Sequence, residues 1–455
     1  MKTLKQYGGS GPNCGRLMTV VVLGALLLGG CMLRDLQRQV DMIGQACVVA
    51  GSVGPPDEEG QLVMVAMLPG SAEEGQVPRP IDFTLADGSG DFSFALAPGD
   101  YRFLAFADRD GDLELDDDEP ARHAYGGHAV NCGVGQQLQK DRIALKRNDR
   151  LKSGGGFAVR DSRSLVSGAM ESAVSLGQLT SFGQVVPLSD PRFDLATARN
   201  SLWRPVDFLR AGHSGVYLRE TLDANRTPVL FIHGINGSPR VLEPLIERLD
   251  GTRFQAMYFY YASGLRIGQV AWHLDRIMRE IEHRHGVQRL HVVAHSMGGL
   301  VARAWFLDRA GGEERADVAS FISLSTPWNG YPSARQGVDH SPVVVPVWRD
   351  MASGSAFLET LSRASGKDRM PPHHLLFSFG ESGWLSSESS DGVAALASML
   401  PASIQRQAVS VFGVDSGHVG IVSDKTAQER VEQLLLREDS AAGRSTASRT
   451  AGASH

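Results

Sequence analysis

Two periodicities divide the chain. Between Cys47 and about Lys146, short stretches of alternating apolar and polar residues recur at Leu62 to Leu68, Ile81 to Leu85, Phe92 to Leu96 and Tyr101 to Phe106. Clusters of Gly, Pro and Asp, such as Asp87-Gly88-Ser89-Gly90 and Pro98-Gly99-Asp100, separate them. A period of two between turn signals predicts strands with one covered face, hence a small all-β sandwich over 47–146. After Gly215 near-continuous apolar runs appear, at Val229 to Ile232, Ala256 to Tyr260, Leu290 to Val293, Phe321 to Leu324, Leu375 to Phe379 and Val409 to Val414. They alternate with helical stretches, notably Arg266 to His283, Met297 to Asp308 and Lys425 to Leu436. Strands apolar on both faces, alternating with helices, predict an α/β domain over 215–437 built on a mostly parallel sheet. Residues 147–214, polar and Gly/Ser-rich at first, read as a linker and packing segment. Residues 438–455, dominated by Ser, Ala, Gly, Thr and Arg, read as a disordered tail.

Composition adds limits to this picture. The chain has 455 residues, 42% hydrophobic and 21% charged, which suits a globular protein of two domains. Its net charge of −6 leaves no broad cationic surface to neutralise phosphates, so nucleic acid is excluded as a partner. At the amino end, Lys2, Lys5 and Arg16 precede an apolar run from Leu17 to Leu28. That run is too short to cross about 30 Å of hydrocarbon as a helix and suits the core of a signal peptide over 1–30, followed by a tether over 31–46. The run ends Leu28-Gly29-Gly30-Cys31, which resembles the lipobox of bacterial lipoproteins. The resemblance implies cleavage before Cys31 and its diacylation, hence a membrane anchor without a spanning helix. Met32 stands where an Asp would signal retention, so the same resemblance implies the outer membrane. An ordinary secretory signal with a cysteine at its boundary is the alternative. Cys14 would leave with the signal, and Cys47 and Cys132, in an oxidising compartment, are expected to pair rather than remain buried free thiols.

The chemistry lies in the second half. Arg289 to Arg303 reads as a strand, a tight turn and a helix start around Ala294-His295-Ser296-Met297-Gly298, a G-x-S-x-G pattern with Ala294 in place of the first glycine. Upstream, His233-Gly234 forms a turn after the buried run Val229 to Ile232; downstream come Asp391-Gly392 in a polar loop and Gly417-His418 after the last strand. Singly, these read as a helix N-cap, a turn and loops. Together they place a hydroxyl, a carboxylate and an imidazole in chain order at the carboxyl edge of one sheet. Residues 215–436, with Ser325-Thr326-Pro327-Trp328-Asn329-Gly330 after the next strand, resemble bacterial α/β-hydrolase lipases and esterases. The resemblance implies a triad of Ser296, Asp391 and His418, with the backbone amides of Ile235 and Met297 forming the oxyanion hole. It implies a serine hydrolase of carboxylic esters, lipid or other acyl esters, needing no cofactor for catalysis. The same triad serves amides, thioesters and acyl transfer, and a non-catalytic binding lipoprotein is the alternative of another class. Glu381 is the runner-up acid, followed by Asp350 and Asp339.

Three further features invite a functional reading. Gly90 to Phe94 with Ala97 to Tyr101 resembles the carboxypeptidase regulatory-like or transthyretin-like sandwich. In the acidic loop after it, Asp108, Asp110, Asp112, Asp116 and Glu119 fall at EF-hand ligand positions, though Leu113 replaces the required glycine. A structural calcium site and a solvated acidic loop both fit. His283 with His285, and His373 with His374, lack partners for zinc and read as solvated. Gly330 to His373 is longer than a simple connection and is expected to form a cap lining an apolar acyl pocket.

Overall fold

The computed structural model describes residues 32–54, 60–68, 79–151, 157–159, 175–309, 315–363, 370–380 and 390–452. The predicted signal peptide, Cys31 and Glu381 lie outside the described residues.

The amino-terminal part consists of two small sheets facing each other. In one, β1 (Cys47–Gly54) pairs antiparallel with β4 (Asp91–Leu96) and takes the short strands Gln137–Gln139 and Ile143–Ala144 on its other edge. In the other, β2 (Gln61–Leu68) lies between β3 (Arg79–Leu85) and β5 (Gly99–Asp108). Val49 and Phe94 of the first sheet share a core with Met64 and Phe103 of the second. A disulfide joins Cys47 to Cys132. β2 departs from simple alternation, since its six central residues are all buried. Its outward side chains, Val63, Val65 and Met67, are covered by Leu113 and Leu115 of the acidic loop.

Eight strands form the large sheet: β6 (Thr180–Val185), β7 (Ser214–Leu218), β8 (Thr227–Ile232), β9 (Phe254–Tyr260), β10 (Arg289–His295), β11 (Asp317–Leu324), β12 (His373–Ser378) and β13 (Ser410–Val414). Their order is β6-β7-β9-β8-β10-β11-β12-β13, parallel throughout except between β7 and β9. Alternate residues serve opposite cores: Leu230, Ile232 and Val292 face one, Val229, Phe231 and Val293 the other. Such double burial is why these strands read as continuous apolar runs.

The boundaries differ from expectation at three places. β6 lies inside the predicted linker, because as an edge strand it is only partly buried and carries no apolar run. The predicted tether contains a helix, α1, over 32–43; Leu36 enters the core and the Gln39 side chain accepts the amides of Val206 and Asp207 at 2.9 and 3.1 Å. The last helix, Lys425–Gly452, continues past 437: Asp439 accepts hydrogen bonds from Thr227 (3.0 Å) and Arg253 (2.6 Å). Polar anchoring at Asp439 holds the start of this extension. No helix among the described residues is long and apolar enough to cross a membrane.

The two parts meet through α2 (Ile267–His285). Its Arg276 binds Asp82 of β3 at 2.5 Å, with both side chains buried, and Trp272 donates to Ser93 at 2.7 Å.

Candidate active site

Ser296 sits between β10 and α3 (Met297–Asp308) with φ 55° and ψ −127°. A side chain beyond Gly tolerates this region only when its surroundings enforce it. Here the Ser296 amide donates to Leu324 O at 2.8 Å. A Cβ at Gly298 would collide with the carbonyls of Ile232 and His233, so the helix can start this close to β8 only with glycine there. Ala294, where the pattern has glycine, is fully buried without disturbing the turn.

The three residues that the resemblance implied as a triad come together. The Ser296 hydroxyl lies 2.9 Å from His418 Nε2, and His418 Nδ1 donates to Asp391 Oδ2 at 2.6 Å. Asp391 is fully buried, yet four donors surround it: His418, the Ser378 hydroxyl at 2.8 Å, and the amides of Val393 (3.1 Å) and Ala394 (2.7 Å). Burial pushes its carboxyl up, but the hydrogen bond and charge of His418, with the Ala394 and Ser378 donors, outweigh burial and hold it below the usual carboxylate range. The carboxylate is therefore ionised and fixes the imidazole with its proton on Nδ1, leaving Nε2 to accept from serine.

The turn carrying Ile235 lies against Ser296, since a Cβ at Gly234 would come within 2.8 Å of Ser296 Cβ. Met297 heads a helix, where first-turn amides have no carbonyl behind them. Two residues that sequence reasoning passed over support this frame. His295 Nε2 donates to His418 O at 2.8 Å, and burial lowers its pKa to about 3, so it remains a neutral strut. Ser378, at the end of β12, links Asp391 to Ser325 (2.6 Å between hydroxyls). The signal for His295 was its place beside Ser296; Ser378 left none.

A family model described as the alpha/beta hydrolase fold matches residues 227–343. The carboxyl-terminal part of the chain has the α/β-hydrolase fold. Among solved structures, this chain is similar to a lipase of Bacillus licheniformis in mature form, at 17% identity over 49% of this chain and 97% of that one, with a TM-score of 0.39. It is also similar to lipase B of Aspergillus fumigatus (14% identity; 48% and 55% covered; TM-score 0.36). A third is a thermophilic esterase of Thermogutta terrifontis (16% identity; 47% and 90% covered; TM-score 0.30). No curated protein matches the chain.

The other candidates lie elsewhere. Asp350 is buried beside α2, where it accepts the Ile267 amide at 2.7 Å and meets Arg266 at 2.6 Å, and Asp339 is exposed on the helix Pro332–His340. His373 and His374 are buried rather than solvated, bonded to Ser323 and Ser410 at 2.8 Å each. In the acidic loop the carboxylates of Asp108, Asp110 and Asp112 bring one oxygen each within 4.8 Å of the others. Asp108 already accepts the amides of Gly111 and Leu113, and Glu119 those of Arg109 and Asp116. Leu113 adopts φ 59°, the conformation a glycine would take, because its side chain is buried under β2.

The insertion between β11 and β12 forms helices Pro332–His340, Pro346–Met351 and Ala356–Arg363. Its Val345, Val347 and Met351 pack into the protein core, so they do not line an acyl pocket as expected. An open groove of about 570 Å³ runs beside it, lined by residues including Gly330, Pro332, Leu358 and Ala397, with no triad residue in its wall.

Proposed function

We propose that this chain is a serine hydrolase of carboxylic esters, lipid or other acyl esters, held at the outer membrane by acylated Cys31. The observation that carries the reading is the unbroken relay from Ser296 through His418 to Asp391, at 2.9 and 2.6 Å. Ser296 Oγ attacks the ester carbonyl while its proton passes to His418 Nε2, and Asp391 stabilises the imidazolium. The amides of Ile235 and Met297 bind the oxyanion of the tetrahedral adduct. The adduct then breaks its bond to the alcohol oxygen, which leaves with the proton from His418. Water repeats the sequence to release the acid. No cofactor takes part in these steps. Met32 and Leu33, which directly follow Cys31, are exposed apolar residues, as suits a chain emerging from a lipid surface.

The test is a panel of p-nitrophenyl esters of increasing chain length, offered to the wild type and to Ser296→Ala. Turnover by the wild type alone is expected, and equal turnover by both removes the assignment. The anchor is tested separately: the mature protein should enter the detergent phase on partition, and Cys31→Ser should leave it in the aqueous phase.

A further inference from the structure

After β11 the chain turns through Ser325 (φ 49°) and reaches Gly330 (φ 71°), whose carbonyl accepts the Ser398 hydroxyl at 2.6 Å. A Cβ at Gly330 would collide with Met351 O, so glycine lets the strap pass close to the insertion. Tyr331 follows and is fixed at its backbone. Its amide donates to Met351 O at 2.8 Å, and its carbonyl accepts from Arg335 and Ser353, both at 3.3 Å. The buried phenol hydroxyl reaches the Ser296 side chain and meets no group in full hydrogen-bonding geometry. An unpartnered buried hydroxyl is destabilising by itself, and it lies at the reacting atom.

Topology gives the side from which it approaches. Ile235 follows β8, on one flank of β10; Tyr331, Asp391 and His418 follow β11, β12 and β13, on the other. A tetrahedral adduct on Ser296 turns its oxyanion toward Ile235 and Met297, and its leaving oxygen toward His418. Resting on the hydrolase reading above, we infer that the Tyr331 hydroxyl donates a hydrogen bond to the leaving-group oxygen. As the carbonyl carbon releases that oxygen, the bonding electron pair moves onto it and His418 Nε2 supplies its proton; Tyr331 keeps its own. Burial pushes the phenol above its ordinary pKa, which keeps it a donor and never a base.

Charge builds up most on poor leaving groups, so the contribution depends on the alcohol. Tyr331→Phe should lower kcat/KM for ethyl butyrate about 10- to 100-fold, the usual effect of losing a hydrogen bond to a charged oxygen. For p-nitrophenyl butyrate, whose alcohol needs little help, the fall should stay under about threefold. Labelling of Ser296 by a fluorophosphonate and the melting temperature should be nearly unchanged, since the ring remains. An equal fall for both esters, or parallel loss of labelling, overturns the assignment in favour of packing. Unchanged turnover of ethyl butyrate overturns it as well. If the wild type turns over neither ester and Ser296 resists the label, the hydrolase reading itself fails, and this inference with it.

Discussion

Replacing Asp391 by asparagine tests the triad more sharply than deleting it, because shape is kept while donor count changes. The carboxylate receives four donors: Val393 and Ala394 amides on Oδ1, the Ser378 hydroxyl and His418 Nδ1 on Oδ2. Asparagine offers one oxygen and one NH2 group. The two main-chain amides cannot turn away, so the oxygen stays with them and the NH2 faces Ser378 and His418. Ser378 can rotate and accept; His418 can accept on Nδ1 only by moving its proton to Nε2. The imidazole then presents N–H to Ser296 and has no lone pair for the serine proton. The same tautomer error in a triad lowers kcat about 10⁴-fold, or about 5 kcal/mol in the barrier. The assay is steady-state hydrolysis of p-nitrophenyl butyrate at neutral pH, run beside Ser296→Ala and Glu381→Gln. Asp391→Asn should approach the Ser296→Ala background and Glu381→Gln should match the wild type. Asp391→Asn within about tenfold of the wild type, or a larger loss in Glu381→Gln, would refute the assignment of the acid.

Three other outcomes are expected. Asp82→Ala withdraws a carboxylate from the buried Arg276 guanidinium and should reduce stability by about 3–5 kcal/mol in urea unfolding, with an effect under about 1 kcal/mol speaking against the buried pair. Gly298→Ala forces a Cβ into the carbonyls of Ile232 and His233 and should yield little soluble protein, which expression and thermal melting will show. Glu119 is pushed up to about 7, by burial first and by the charges of Asp108 and Asp110, against the amides of Arg109 and Asp116. The folded carboxyl thus holds a proton that the unfolded one releases near pH 4.5, so its contribution to stability is lost as pH rises through this interval; relative to Glu119→Gln, the wild type should gain melting temperature on acidification from about pH 7 to 5, and a constant gap would disprove it.

What the residues disclosed follows from which forces act locally. β8 and β10 were legible because both faces are buried, so Val229 to Ile232 and Leu290 to Val293 need no partner to be recognised. The meeting of Ser296, Asp391 and His418 was legible because fold connectivity fixes their order, although 122 positions separate the serine from the imidazole. β6 was hidden: Thr180–Val185 is an edge strand with a bulge near Gly183, whose φ is 80°. The burial of His373 and His374 was equally hidden, because Ser323 and Ser410 lie on neighbouring strands and satisfy them only after the sheet forms. The apolar residues of the insertion were visible, but nothing local told a core-packing Val347 from a ligand-facing one.

The unusual backbone conformations at the site lie at the ends of neighbouring strands. Asn236, Ser296 and Ser325 all have positive φ, and they follow β8, β10 and β11, three neighbouring strands. Such conformations typically cost about 1–3 kcal/mol each and persist only where surrounding bonds determine them. Two of the three are tied to the next strand in the sheet: the Ser296 amide donates to Leu324 O at 2.8 Å, and the Ser325 amide to Leu376 O at 2.9 Å. Asn236 is tied instead to the loop after β9, its amide donating to Ser263 at 3.1 Å. The sheet therefore imposes the turns at Ser296 and Ser325 from the side, and neither of these two bonds involves the amino-terminal sandwich or the helices of the insertion. A substitution that loosens the carboxyl end of β11 or β12 should disturb Ser296 more than an equally large change in those outer parts, even though it touches no triad residue.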